Sequence, residues 1–167
     1  MNVGYGFVIR KVKKNDNKSL EIVLSKVMRE FNVPETGTAL ADPELKCIFE
    51  TYNFEKSQYY VLEKNNIIYG GAGISKLKDS KENICELQKM YFLEEARGIG
   101  LGEIMIDLCI SKAIEFGFDY CYIETMFNMS NAQKLYNKKG FKSIDNPLGN
   151  TGHSSCPVWL IKDLKWH

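Results

Sequence analysis

Six consecutive residues, Arg97-Gly98-Ile99-Gly100-Leu101-Gly102, carry the densest chemical signal in the chain. Glu86 to Leu93 in front of them reads as a strand, and an amphipathic run from Leu101 to Phe116 follows. A glycine turn between a strand and a helix gathers backbone N–H groups, and the positive end of the helix dipole, around one small volume. That volume suits an anion, most often a phosphate, which glycine lets the backbone approach closely. Spacing narrows the ligand. A nucleotide-hydrolase loop needs Lys-Ser or Lys-Thr after its last glycine, but Gly102 is followed by Glu103-Ile104. The dinucleotide fingerprint needs a glycine three residues after Gly100, and Glu103 stands there. What remains is Arg-x-x-Gly-x-Gly closing a strand and opening a helix.

Other chemistries find little support. The five cysteines (Cys47, Cys85, Cys109, Cys121, Cys156) are scattered and lack metal-ligand spacing, and only His153 and His167 are histidines, so no metal is expected. The cysteines read as small apolar filler in a reduced, cytoplasmic protein. A net charge of +1 gives no general attraction to nucleic acid or anionic membrane. No basic segment with an apolar core opens the sequence, residue 2 is Asn, and no apolar run reaches the length of a membrane span. With 167 residues, 44% hydrophobic and 26% charged, the simplest organisation is one domain over 1–167.

The elements that must position the turn can be read in order. Val3, Tyr5, Phe7 and Ile9 alternate, predicting a single strand to Arg10 with one buried face. Asp16 or Asn17 offers an N-cap for a helix whose apolar stripe is Leu20, Val23, Leu24, Val27, Met28 and Phe31. A loose stretch from Val33 leads to Asp42-Pro43, an N-cap and N1 proline for a short helix through Leu45, Ile48, Phe49 and Tyr52. That stretch is either a segment that closes over a substrate or an ordinary connector. Gln58–Glu63 and Ile67–Ile74 form a hairpin around Lys64-Asn65-Asn66. Gly70-Gly71-Ala72-Gly73 inside its second arm implies a close neighbour. Beyond the turn, Gly117 ends the helix, Asp119–Thr125 is a strand parallel to Glu86–Leu93, and Asn131–Lys139 is a short helix. A strand from Phe141, a polar loop from Asp145 to Ser155 and a last strand from Val158 to Ile161 complete the chain. The sum is an α/β (α+β) fold, a mixed sheet of about seven strands with helices on both faces.

A second motif lies downstream, Ala132-x-x-Leu135-Tyr136-x-x-x-Gly140-Phe141. In this order and context the two motifs resemble those of the GNAT family of N-acetyltransferases. The resemblance implies an acyl-CoA N-acyltransferase fold, with a mostly antiparallel sheet whose fourth and fifth strands splay in a V around acetyl-CoA. It places the pyrophosphate on the backbone amides of Arg97, Gly98, Ile99, Gly100, Leu101 and Gly102, with charge-assisted bonds from the Arg97 side chain. The pantetheine arm would run along Met90, Tyr91 and Phe92 like an added strand, and a backbone N–H there would stabilise the oxyanion. Many relatives carry Asn where Met129 stands here, which leaves Asn131 or Asn128 to contact the pantetheine. By the same resemblance Tyr136 is the acid that protonates the departing thiol, and Glu124 is the candidate base. Glu86, His153 or water are the alternatives for the base, and His153 would face the acceptor, as a contact or as a solvated loop residue.

The activity implied is acetyl transfer from acetyl-CoA to a primary amine of a small molecule, by direct attack in a ternary complex. Acylation of a protein N-terminus, transfer of another acyl group, or a non-catalytic acyl-CoA sensor are the alternatives. The acceptor would be set by Val33–Tyr52 and Asp145–Cys156, which hold no decodable signature, and the chain would act as a monomer or a homodimer.

Overall fold

Leu20, Val23, Leu24, Val27 and Met28 recur at helical spacing and are buried together on α1 (Asn17–Glu30). On α3 (Leu101–Glu115) the buried set is Leu101, Met105, Ile106, Cys109, Ile110 and Ala113. These two helices cover opposite faces of one sheet. The computed structural model describes residues 1–165, so His167 lies outside the described residues. Its strands are β1 (Asn2–Gly4), β2 (Phe7–Lys11), β3 (Gln58–Lys64), β4 (Ile67–Lys76), β5 (Ile84–Phe92), β6 (Tyr120–Thr125), β7 (Lys142–Ser143) and β8 (Val158–Asp163). They lie in the order β1-β2-β3-β4-β5-β6-β8-β7, and only the β5–β6 pair is parallel. Two shorter helices, α2 (Ile48–Tyr52) and α4 (Ser130–Lys138), complete the layers. Among the described residues no helix is long and apolar enough to cross a membrane.

Two expectations are corrected. The predicted first strand is broken: Gly4, Tyr5 and Gly6 all have positive φ (89°, 52° and 76°), so the chain reverses and Tyr5 is 67% exposed. Among the described residues the sheet therefore has eight strands, and the fifth and sixth flank the parallel junction. The predicted helix after Asp42-Pro43 divides at Cys47 into a 3-10 turn (Pro43–Lys46) and α2. The β3–β4 hairpin turns on Asn65 and Asn66, both at positive φ, the conformation that asparagine tolerates in a tight reverse turn.

Pairing between β5 and β6 covers only Ile84↔Tyr120, Cys85↔Cys121 and Glu86↔Tyr122. Beyond Glu86 the strands continue to Phe92 and Thr125 without pairing, and a wedge opens between them. Cys85, Leu87, Cys121 and Ile123 join the core under α3. By the two-residue period of a strand, Glu86, Gln88, Tyr122 and Glu124 therefore point to the opposite face, toward α1. The β4 glycines explain themselves here. A Cβ on Gly73 would come within 2.6 Å of the Tyr52 and Tyr59 rings, and one on Gly70 would overlap the Tyr91 carbonyl oxygen. Between Gly73↔Gln88 and Gly71↔Tyr91 the register slips by one residue, a bulge at Lys89 (φ 50°). The Tyr59 hydroxyl pins it, donating to the Lys89 carbonyl at 2.9 Å.

Candidate active site

The wedge holds a cavity of about 580 Å³. One wall is the β5 edge at Met90, Tyr91 and Phe92, and the other is Asn128 to Ala132 with Leu135 and Tyr136 of α4. Val27 of α1 and Phe31 just beyond its end close it from the third side, and the glycine turn forms its head. Gly98 and Gly100 take φ of 74° and 86°, and a Cβ on either would meet nothing within 4 Å. Gly102 serves packing instead, since a Cβ there would sit 3.2 Å from Leu135. Among the described residues no acceptor serves the N–H groups of Gly98, Ile99, Gly100, Leu101 or Gly102. A helix leaves its first N–H groups without intrahelical partners, and here the turn before it adds more, so five adjacent donors converge into a cradle for an anion.

Arg97 differs from the sequence expectation. Its backbone N–H donates to Glu94 at 3.0 Å, so the cradle starts at Gly98. Its Nε donates to the Phe92 carbonyl at 2.7 Å, its guanidinium grips Glu30 through both terminal nitrogens (2.5 and 3.0 Å), and it stacks 4.9 Å over Phe31. The side chain thus ties the turn to α1 across the cavity mouth. Ile99 and Leu101 pack into the α3 core and offer only backbone to the cavity. Asn128 and Asn131 both line it, and the intervening Met129 is buried, accepting the Thr125 hydroxyl on its sulfur at 3.6 Å. Tyr136 is 6% exposed, with its ring packed edge-on against Phe141, and its hydroxyl has no hydrogen bond to any described residue. Burial pushes its pKa well up, so the phenol stays neutral.

On the α1 face, Glu86 and Glu124 from the two diverging strands meet His153 from the late loop. Their ligating atoms lie within 4.8 Å of one another, so small rotations would bring them to hydrogen-bond distance or around a cation. Glu124 accepts at both oxygens, from Tyr122 at 2.8 Å and Thr151 at 2.7 Å. Glu86 accepts at one, from the Gln88 amide at 2.6 Å, and Gln88 is held in turn by the Tyr52 hydroxyl at 2.6 Å. Burial pushes the Glu86 carboxyl up to about 7, against the opposing pull of Gln88, and the neighbouring charge of Glu124 adds to the rise. Sequence reading missed Asp42, Lys89, Gln88, Thr151 and the two tyrosines. Asp42 gave no signal of this role in the sequence. It caps a 3-10 turn by position, yet its side chain caps nothing and reaches Lys89 (2.8 Å) and His153 (3.1 Å) instead.

Similarity to known proteins agrees with this geometry. A family model described as the acetyltransferase (GNAT) family matches residues 24–141. The uncharacterized N-acetyltransferase YjgM of Escherichia coli K12 is 37% identical over 158 residues, spanning 94% of this chain and 95% of the relative. A GNAT-family acetyltransferase structure from Staphylococcus aureus Mu50 superposes with a TM-score of 0.84 at 22% identity, covering 95% of this chain and 99% of that one. The structure of yncA from Salmonella typhimurium, solved with its cofactor acetyl-CoA, gives 0.73 at 16% identity and covers 96% and 95%. At such identities the two structures speak for the fold, while the family model and the 37% relative speak for descent. The chain belongs to the GNAT family and is an N-acetyltransferase.

Proposed function

We propose that this protein moves an acetyl group from acetyl-CoA to the primary amine of a small molecule, by direct attack while both are bound. The observation that carries this is the unpartnered row of N–H donors from Gly98 to Gly102 at the head of a wedge cavity. Such a row matches a pyrophosphate, and the apolar wall along Met90 to Phe92 matches a pantetheine arm lying beside an unpaired strand edge. Bound there, acetyl-CoA supplies the activated acyl group as a thioester. Holding both reactants in one site supplies much of the rate.

The chain's own groups divide the remaining work. Glu86 has an oxygen with no hydrogen bond to any described residue and a pKa near neutrality, so it takes the proton from the incoming ammonium. Glu124, with both oxygens already accepting, stands beside it. The bulge at Lys89 puts a residue outside the ladder, which frees a backbone N–H near Met90 to face the developing oxyanion. Tyr136 donates toward the departing sulfur.

Gly100→Ala tests the cradle. Forcing alanine to a φ of 86° costs about 1 kcal/mol of stability, and it adds a methyl group at a residue that lines the cavity. Gly117→Ala, equally strained at 79° at the far end of α3, is the control. Calorimetry should show CoA binding weakened about tenfold or more, roughly 1.4 kcal/mol, in the first variant only. Equal affinities in both variants contradict the cradle. The activity itself is tested by thiol release from acetyl-CoA across amines, amino acids, polyamines, aminoglycosides and peptides. Release that depends on a small-molecule amine is the expected result. Tight acetyl-CoA binding with no amine-dependent release identifies a sensor, and release with peptides alone identifies a protein acetyltransferase.

A further inference from the structure

We propose that Asp42 and His153 form a proton outlet for the buried carboxylates Glu86 and Glu124, assembled where two loops distant in sequence meet. The inference rests on the acetyl-transfer reading above, because the proton that must leave is the acceptor's. Glu86 is 4% exposed and so is the Glu124 side chain, whereas the side chain of Asp42 is 20% exposed. A carboxylate that receives a proton each turnover must release it before the next, and neither glutamate reaches water freely. His153 spans the gap. Its Nε2 lies 3.1 Å from each Asp42 oxygen, and its Nδ1 lies 3.6 Å from a Glu124 oxygen.

A carboxylate only accepts hydrogen bonds, so the contact with Asp42 puts the ring hydrogen on Nε2 and leaves the Nδ1 lone pair facing Glu124. Asp42 is itself held by the buried Lys89 ammonium at 2.8 Å, and Lys89 is placed there by the β5 bulge. A second tie joins the same loops, since the Ser155 N–H donates to the Gly37 carbonyl at 2.9 Å. The ring therefore sits in a clasp. The charged groups facing it are Asp42, Lys89, Glu86 and Glu124, and the Cys156 thiol near the same carboxylates is held neutral by burial with a pKa of about 12. Burial alone would lower the His153 pKa. The bond to Asp42 and the charges of Asp42 and Glu86 outweigh that effect, against Lys89, and raise it.

The step balances simply. With small side-chain rotations, a proton taken by Glu86 passes to Glu124 as the Glu124 oxygen nearest His153 releases Thr151, and on to Nδ1, which regenerates both carboxylates and makes an imidazolium between Glu124 and Asp42. Water at the Asp42 rim removes the Nε2 proton, and a rotation of the ring that brings Nδ1 to the same water lets the neutral ring lose its Nδ1 proton there and regain the Nε2–H form. One proton enters and one leaves. Asp42 and His153 act through the glutamates, as positioning and relay residues.

The test uses the full chain with saturating acetyl-CoA and an amine acceptor. His153→Ala should lower kcat about tenfold to a hundredfold at unchanged KM for acetyl-CoA, and added imidazole should restore part of the rate in proportion to its concentration. Asp42→Asn should lower kcat about tenfold and move the acid limb of its pH profile down by about one unit, with Asp42→Glu recovering both. Wild-type kcat in His153→Ala or Asp42→Asn overturns the outlet. A loss that imidazole leaves untouched, with Asn and Glu at position 42 equally impaired and the limb unmoved, shows a clasp that only shapes the loops and overturns it too. A wild-type protein that binds acetyl-CoA but releases no thiol with any amine removes the acetyl-transfer reading itself, and this inference with it.

Discussion

Tyr136→Phe should lower kcat about a hundredfold, the scale of a lost proton donor, while acetyl-CoA binds with nearly wild-type affinity. The substitution is clean because so little else depends on the hydroxyl. The ring carries the packing, 6.1 Å from the Phe141 ring, and no hydrogen bond to any described residue is lost. Melting temperature should therefore change little. Burial raises the phenol's pKa, which at first sight weakens it as an acid. A thiolate formed in the same dry wedge suffers the same desolvation, and its pKa rises from about 8.5 for the same reason. The two groups move together, so the phenol remains matched to the sulfur as a donor. No new limb should appear in the neutral pH–rate profile, because Tyr136 does not titrate there. An unaltered kcat, in conditions where pre-steady-state kinetics show chemistry to be rate-limiting, removes Tyr136 from this role.

What could be read from the sequence was local. The glycine turn needs only neighbours six residues apart, and it stands between a strand and a helix as its flanks implied, with Gly98 and Gly100 at left-handed φ. Leu20 to Met28 and Leu101 to Ala113 announced their buried faces for the same reason, since helical periodicity is written within one segment. The break at Tyr5 escaped because alternation of Val3, Tyr5, Phe7 and Ile9 describes a strand and a tight hairpin equally well. The polar half of the site escaped for a different reason. Lys89 meets Asp42 across 47 positions, His153 meets Asp42 across 111, and Arg97 meets Glu30 across 67. A capping aspartate looks the same in sequence whether or not its carboxylate is drawn elsewhere. Arg97 read as a phosphate ligand because nothing nearby in sequence competes for it, and the competitor proved to be the last residue of α1. Glu86 likewise gave no sign of its raised pKa, which arises from burial under Tyr52 and Gln88 and from the β6 carboxylate placed beside it by the parallel register.

That burial makes Glu86 the position where activity and stability should part most clearly. Glu86→Gln should lose about a hundredfold in kcat at pH 7.5 and yet unfold less readily than the wild type at that pH. The folded chain holds the Glu86 proton up to about pH 7, whereas the unfolded chain releases it near the ordinary value of 4.5. Between these values the folded state binds more protons, so the wild type loses stability as pH rises through the window. The full cost at pH 8 is on the order of 3 kcal/mol; below pH 4.5 it vanishes, because the carboxyl is neutral in both states. A neutral glutamine of the same shape escapes the cost and can still accept the Gln88 amide through its own oxygen. Urea unfolding of both proteins at pH 5 and pH 8 measures the effect directly. The variant's advantage should be small at pH 5 and near its maximum at pH 8, while its acetyl-CoA affinity stays unchanged at both. A variant less stable than wild type by the same margin at each pH contradicts a strained, ionised Glu86. Wild-type kcat at pH 7.5 would pass the base role to Glu124, whose oxygens would then have to release Tyr122 or Thr151 to accept the proton.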